Sequence, residues 1–354
     1  MAKNTPQDRD SARDSGFARR AMLGGAALGG ALLAMGTGEA RAAGWPAHPR
    51  WKLVFVNHVT TNPFFVPTQY GIQDACAMTG CDYQWTGSQT SNAAEMVNAM
   101  NAAIAARADA IAVPIVDPVA FKRPIARAME AGIPVFSYNA DADAGRLAYI
   151  GQDLYAAGEK MGDRIVSLVG SGKIVLFIST PGQLNIQPRI DGAQAAIKKS
   201  GKPITVEVIA TGPTVDEELS KIKAYYIGHQ DVKGMFAVDG GSTQGISEVM
   251  RTSGLAAKGI HGGGFDLLPR TLANIHDGHL DFTIDQQPYL QGFYTVMEMV
   301  NFLASGGLVG PADVNTGLKF VIKDNVGPYL ATATRYEGKT DKQLIVKRSG
   351  PIKA

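Results

Sequence analysis

The sequence predicts an α/β protein of two doubly wound, parallel-stranded sheets in series. Three observations carry this. From Lys52 onward, short apolar runs alternate with longer amphipathic ones. The short runs are apolar on both faces, as strands must be in a parallel sheet covered by helices on both sides. The alternation then restarts after "AYIGQD" (Ala148–Asp153), dividing the chain into two βα series. At 354 residues, 45% of them hydrophobic, the chain is also too long for one ordinary domain.

In the first series "KLVFVNH", "DYQWTG", "DAIAVP" and "IPVFSY" read as strands, and Val66–Thr79, Ala93–Ala106 and Val119–Ala131 as the helices between them. Pro114 and Pro134 punctuate the elements as breakers should. In the second series the strands are "KIVLFIS", "ITVEVIA", "GMFAVD", "IHGGGF" and "LDFTID". Its helices fall at Leu154–Val169, Gln187–Lys199, Asp216–Tyr226, Thr243–Arg251 and Pro269–Asp277, and a further helix follows at Tyr289–Ala304.

The first 42 residues belong to neither series. Arg19-Arg20 precede an uncharged stretch rich in Ala, Gly and Leu, Ala21–Gly38, which ends in the small-x-small pattern Ala40-Arg41-Ala42. This predicts an export signal cleaved near Ala42, with the arginine pair pointing to the twin-arginine route. Ala18 and Met22 depart from that route's preferred residues, so the general route stays open. A membrane anchor is the alternative. It is disfavoured because the apolar core is glycine-diluted and barely reaches the ~18 residues a span requires. The segment carries six Lys/Arg and four Asp/Glu. Without its +2 the chain is near neutral, which excludes a basic surface for nucleic acid or an anionic membrane.

The only cysteines, Cys76 and Cys81, are four residues apart in a chain expected in an oxidising compartment. That predicts a disulfide, with Gly80 folding Cys81 back toward the preceding helix; two buried free thiols are the alternative.

In doubly wound sheets ligands bind beyond the carboxyl ends of strands. The residues there are Asn62–Phe65, Asn139, Ile178–Arg189, Asp239, Phe265–Asp266 and Asp285–Gln286. Amides, carboxylates, one arginine and aromatics suit a neutral polyhydroxylated ligand, whose hydroxyls both donate and accept. The adjacent pair Phe64-Phe65 is either core or a plate for the apolar face of a sugar ring. As a plate, it predicts that Phe65→Ala weakens binding while leaving the empty protein's thermal midpoint little changed.

Catalytic and cofactor motifs fail on inspection. "VGSGKI" has Ser167 and Ile174 where a phosphate loop needs Gly and Ser/Thr. "HGGGF" lacks a nucleophile elbow, because "GGSTQ" ends in Gln where Gly is required. The six histidines show no metal spacing, and "DADAG" lacks a calcium loop's glutamate. Binding without catalysis, cofactor or metal is the expected role.

"TNPFF", "RIDGAQAAI" from Arg189, "GMFAVDGGSTQG", "GGGFD" and "IDQQPYLQG" occur in an order and spacing that resemble one family. It is the ribose- and galactose-binding family of periplasmic sugar-binding proteins, the type I fold of ABC-transporter solute receptors. The resemblance runs from about Lys52 to Val326. It implies two Rossmann-like lobes, a three-crossing hinge and a ligand in the interlobe cleft. The lobes would comprise 51–152 plus 287–315 and 153–286 plus 316–340, with crossings near Gly151–Asp153, Asp285–Gln287 and Asn315–Leu318. It implies that Asn62 bonds a hydroxyl, Phe64 and Phe65 wall the ring, and Arg189 forks onto the ring oxygen and a hydroxyl. Asn139, Asp239, Asp266 and Gln286 would complete the cage, with Tyr138, Asn185 and Gln187 as further contacts at the wall and mouth. The implied partners are a small neutral carbohydrate and an ABC permease with its ATPase, the receptor acting as a monomer. A chemoreceptor or sensor kinase is the alternative partner. The sequence departs from the ribose pattern at Asn139-Ala140, where that pattern has Asp-Arg, and at Asp239, where it has Asn. The second lobe's stacking aromatic is not evident in "ATGPTVDEE". These departures put ribose in doubt and leave a monosaccharide, sugar alcohol or furanosyl compound open.

Overall fold

The structure, a computed structural model, describes residues 47–330; the expected export signal lies outside these residues. The first sheet collects β1 (Lys52–Asn57), β2 (Asp82–Gly87), β3 (Ala110–Val113), β4 (Val135–Tyr138) and β5 (Tyr149–Gly151). Helices α1 (Val66–Thr79), α2 (Ala93–Ala105) and α3 (Pro118–Glu130) join the first four strands. The second series runs α4 (Leu154–Val169), β6 (Gly172–Ile178), α5 (Gln187–Lys199), β7 (Ile204–Ala210), α6 (Val215–Gly228), β8 (Gly234–Ala237) and α7 (Gly240–Thr252). It continues through β9 (His261–Phe265), α8 (Pro269–His276) and β10 (Phe282–Asp285). Then α9 (Pro288–Ser305) and β11 (Asp313–Asn315) return to the first sheet, and β12 (Lys319–Val321) completes the second.

Strand order is β11-β5-β4-β3-β1-β2 in one sheet and β12-β10-β9-β8-β6-β7 in the other. Every pairing is parallel except β10 with β12. The chain therefore passes between the sheets three times: after Gly151, after Asp285 and after Asn315.

Each sheet separates two apolar layers, as the two-faced strands require. In β1, Leu53 and Phe55 enter one core while Val54 and Val56 enter the other. In β6, Ile174, Leu176 and Ile178 alternate with Val175 and Phe177 in the same way. Asn92, Asp117, Asp153, Thr214 and Asp239 cap α2, α3, α4, α6 and α7, each accepting backbone N–H bonds of the first turn.

Two expectations are corrected here. Helix α7 begins at Gly240 rather than Thr243, because the Asp239 cap draws the Gly240-Gly241 pair into its first turn. Cys76 and Cys81 are free, buried thiols rather than a disulfide. Gly80 does take the left-handed conformation, and the Cys81 N–H donates to the Cys76 carbonyl at 3.1 Å. Both thiols nevertheless pack into the apolar layer beneath α1. Burial pushes the Cys76 thiol up to about 12 and raises that of Cys81, which suppresses the reactive thiolate.

Candidate functional site

The carboxyl ends of both sheets open onto one cleft lined by residues of both. It is built from loops that follow strands, where backbone groups released from the ladders can be redirected.

On the first sheet, Asn57 ends β1. It accepts from the Val59 N–H at 2.8 Å and donates to the Tyr138 hydroxyl at 2.9 Å. That anchors the turn leading to Asn62, which caps the short 3₁₀ turn Pro63–Phe65 by accepting the Phe64 N–H at 2.9 Å. Oδ1 of Asn62 is thereby committed, and its amide N–H groups remain as donors at the cleft. The turn sends the two phenylalanines different ways. Phe65 is 1% exposed and sits edge-on to His58 and Phe64 and tilted against Trp85 within the core. Phe64 is half-buried on the cleft wall. The expectation that Phe65→Ala would spare the empty protein is therefore corrected: Phe65 borders the cleft but is a core residue, and Phe64 is the ring left half-buried at the wall.

Asn139 follows β4 in the left-handed conformation (φ 64°), and Asp266 follows β9 in the same conformation (φ 75°). Asn and Asp tolerate this region better than other side chains. Single residues held in it cluster at binding sites.

On the second sheet, Arg189 lies in the first turn of α5 and is 2% exposed. It donates to the Val238 carbonyl at 2.9 Å and to Oε1 of Gln152 at 3.0 Å, and its guanidinium stacks 4.0 Å from the centre of the Phe265 ring. Burial lowers its pKa, while Asp266, Tyr149 and Asp239 oppose that by favouring the cation. Helix α4 supports it at Gly158, where a Cβ would lie 2.3 Å from the Arg189 carbonyl oxygen. Asp239 accepts from the Ser242 and Ser179 N–H groups at 2.9 and 3.0 Å. Burial raises the Asp266 carboxyl to about 6, opposed by Arg189 and by the hydrogen bond from Gln286.

A chain of buried amides joins the two half-sites. Gln286 donates to Asp266 at 2.7 Å and accepts from Gln291 at 3.1 Å; Gln291 in turn accepts from Asn139 at 3.2 Å. Gln152, at the first passage between the sheets, holds Arg189 through Oε1 and the Gly317 carbonyl through Nε2 at 3.1 Å. The polar groups that face the cleft are thus oriented by the segments joining the sheets.

Asn62, Phe64, Phe65, Asn139, Arg189, Asp239, Asp266 and Gln286 all line this one cleft, and so does Asn185. Tyr138 and Gln187 do not, which corrects their expected contacts. Tyr138 is buried beneath Asn57, donating to the Val56 carbonyl at 3.2 Å. Gln187 turns outward to the Gly182 N–H and Asp191. Ser179 and Thr180 fall in the expected strand-end stretch Ile178–Arg189, whereas sequence reasoning missed His58, Ser91, Pro213 and Glu218 as lining residues. His58 is neutral, its pKa lowered by burial to about 3.

The loop between β6 and α5 also reaches the first sheet directly. Gln183 exchanges two hydrogen bonds with Ser91, Leu184 N–H donates to the Val116 carbonyl at 3.1 Å, and Asn185 meets His58 at 3.2 Å. Among the described residues no group of three His, Cys, Asp or Glu side chains is placed to hold a metal ion.

Two α/β lobes, three linking segments and a shared polar cleft with an aromatic wall define a ligand receptor of the two-lobed binding-protein class. Residues 53–307 match the model of the periplasmic binding protein domain, and the chain belongs to that family. It is 53% identical over 311 residues to the xylose/arabinose-binding protein XylF of Sulfolobus acidocaldarius, covering 83% of this chain and 76% of that protein. It is 26% identical over 237 residues to the ribose import binding protein RbsB of Bacillus subtilis, covering 65% and 74%. Among solved structures it is similar to an ABC transporter solute-binding protein from Burkholderia graminis in complex with D-arabinose. The TM-score there is 0.74 and the identity 27%, covering 79% of this chain and 97% of that one. A carbohydrate transporter from Acidothermus cellulolyticus in complex with myo-inositol gives a TM-score of 0.72 at 25% identity, covering 82% and 100%.

Proposed function

We propose that the chain is an exported receptor that captures a small neutral carbohydrate, a pentose in the first instance, and delivers it to an ABC importer. The observation that carries this is the convergence of Phe64, Asn62, Asn139, Arg189, Asp239, Asp266 and Gln286 on one cleft. Phe64 offers a face for ring C–H groups, and the remaining side chains offer both donors and acceptors at the ring's edge. The pentose preference is supported by the 53% identity to a protein named for xylose and arabinose. The cleft lies between lobes linked by three segments, so a ligand bridging both half-sites favours the closed form by its differential affinity. The closed form is then the one that docks on the permease and its ATPase. Residues 1–42 act as the leader, and the processed chain works in the periplasm as a monomer.

Calorimetry against pentoses, hexoses, polyols and amino acids tests the reading. D-Xylose or D-arabinose is expected to bind with one site per chain. Binding of an amino acid with no response to any sugar overturns it.

A further inference from the structure

His58, the residue after β1, stands where the two lobes meet. It lines the cleft, is 4% exposed, and packs edge-on against Phe65 with ring centres 5.3 Å apart. Its carbonyl accepts the Ser91 N–H at 2.8 Å, and Ser91 in turn exchanges two hydrogen bonds with Gln183 of the second lobe. Beside that contact, Nε2 of the His58 ring lies 3.2 Å from Nδ2 of Asn185, also of the second lobe. The other ring nitrogen, Nδ1, is fully enclosed and has no hydrogen-bond partner among the described residues. This geometry separates the two protonation states. A neutral imidazole has one N–H and one bare nitrogen, whereas an imidazolium has two N–H donors. Whichever way the Asn185 amide faces, it serves only Nε2. An imidazolium would therefore hold a desolvated charge with its Nδ1–H unpaired, a burial that costs far more than that of the neutral ring.

We propose that His58 and Asn185 form a clasp between the lobes that holds only while the imidazole is neutral, so that acid loosens the closed form and releases its sugar. This rests on the sugar-receptor reading and deepens it, because it adds the condition under which the closed form persists. Opening withdraws Asn185 with its own lobe and lets water reach the ring. The ring can then take a proton near the ordinary histidine value, about 6.5.

On its own lobe the ring meets Phe65 and the Ser91 backbone, neither of them charged. The titratable groups that share the cleft from the second lobe are Arg189 on α5, Glu218 on α6, Asp239 at the cap of α7 and Asp266 after β9. Among the described residues none of these bonds the ring. Burial pulls the His58 pKa down to about 3 in the closed form. A group whose pKa is lower closed than open releases a proton on closure between the two values. Closure is therefore fully favoured above the open-form value and weakens as pH falls below it, by up to about tenfold per pH unit. Burial raises the pKa of all three carboxyls, so any proton they gain on closure acts in the opposite direction. They are common to wild type and to the variants that follow, and the difference between chains isolates His58.

Calorimetry with D-xylose and D-arabinose, in buffers of different ionisation enthalpy, tests this on the processed chain. The readout is the ratio of each chain's affinities at the two ends of the range, whatever its affinity at neutral pH. His58→Gln keeps an amide able to pair with Asn185 and removes the titration. From about pH 7.5 to about pH 5.5, wild type is expected to lose about tenfold more affinity than His58→Gln. At the acid end it is expected to release about one proton more per sugar bound. Asn185→Ala, on the opposite lobe, leaves His58 in place and opens its Nε2 to water, so its acid loss is expected to be smaller than that of wild type. Equal acid loss and equal proton release in wild type and His58→Gln overturn the clasp while leaving the receptor reading intact. An undiminished acid loss in Asn185→Ala does the same if His58→Gln fails to fold. Failure of every sugar to bind wild type overturns both.

Discussion

The two walls of the cleft are made of different chemistry. The first lobe presents Phe64, Phe65, His58, Asn62, Asn139 and Ser91, none carrying a formal charge once burial has kept His58 neutral. The second presents Arg189, Asp239, Asp266 and Glu218, four ionisable groups within one wall. They are also held differently. Phe65 is fixed by its own lobe's apolar core, whereas Arg189 is fixed by Gln152 at a linking segment. A sugar has one apolar face and a polar edge, and on the proposed reading one lobe takes the face and the other the edge. Charged groups desolvated by closure strengthen their hydrogen bonds, so the second wall gains most from shutting.

Arg189→Ala attacks the charged wall and should have the largest effect. It strips the countercharge from Asp239 and Asp266 and leaves the Val238 carbonyl and Gln152 Oε1 unpaired in the interior. Truncating one partner of a buried charge network costs about 2–5 kcal/mol of binding free energy, so sugar affinity should fall by about 100-fold. Arg189→Lys cannot reproduce the two-armed geometry and should recover little of it. An affinity within tenfold of wild type for Arg189→Ala would mean that the second wall is scaffolding and not the gripping surface.

Phe65→Ala and Phe64→Ala test the neutral wall as a pair. Removing the fully buried ring should destabilise the empty protein by about 3–5 kcal/mol, read as a lower denaturation midpoint. Removing the half-buried neighbour should leave that midpoint nearly unchanged and weaken sugar binding by about tenfold through loss of an aromatic contact of ~0.5–1.5 kcal/mol and its buried area. If both variants lowered stability equally and neither changed affinity, the first wall would be core alone.

The same pair shows how far the sequence could be read. Strands apolar on both faces, together with the rule that doubly wound sheets bind at their carboxyl ends, pointed to six strand-end stretches, and the family resemblance picked out of them the eight residues that the fold brings to one cleft. The local turn decides what each of them does there. Phe64 and Phe65 look identical in sequence, and only the cap by Asn62 turns one inward and leaves the other at the wall. Glu218 was hidden in an acidic run, Asp216-Glu217-Glu218, which reads as the ordinary charged first turn of a helix. Only the seat at Gly241 distinguishes the third acid from its exposed neighbours. Gln152 and Gln291 carry no periodic signal, because their role depends on which lobe each linking segment meets. Strands β11 and β12, three residues each, are too short for alternation to register.

The loop between β6 and α5 offers the finest test of the contrast, because it belongs to the charged lobe yet also bonds directly to the neutral one. Gln183, Leu184 and Asn185 bond Ser91, the Val116 carbonyl and His58 directly. These contacts can form only when the lobes are together, so they bias the open–closed equilibrium toward closure and raise apparent affinity by the fraction of closed form they add. Gln183→Ala removes the pair of hydrogen bonds with Ser91 at a partly solvated rim, where each lost neutral hydrogen bond is worth about 0.5 kcal/mol, the low end of the usual range. Sugar affinity should drop by only about three- to tenfold, expressed as faster dissociation with an unchanged association rate. The thermal midpoint of the empty protein should not move, since neither lobe's core is touched. Stopped-flow kinetics of wild type and Gln183→Ala with the same pentose separates the two rates. A slower association with unchanged dissociation would show that the loop guides the sugar into the cleft rather than holding the lobes shut over it.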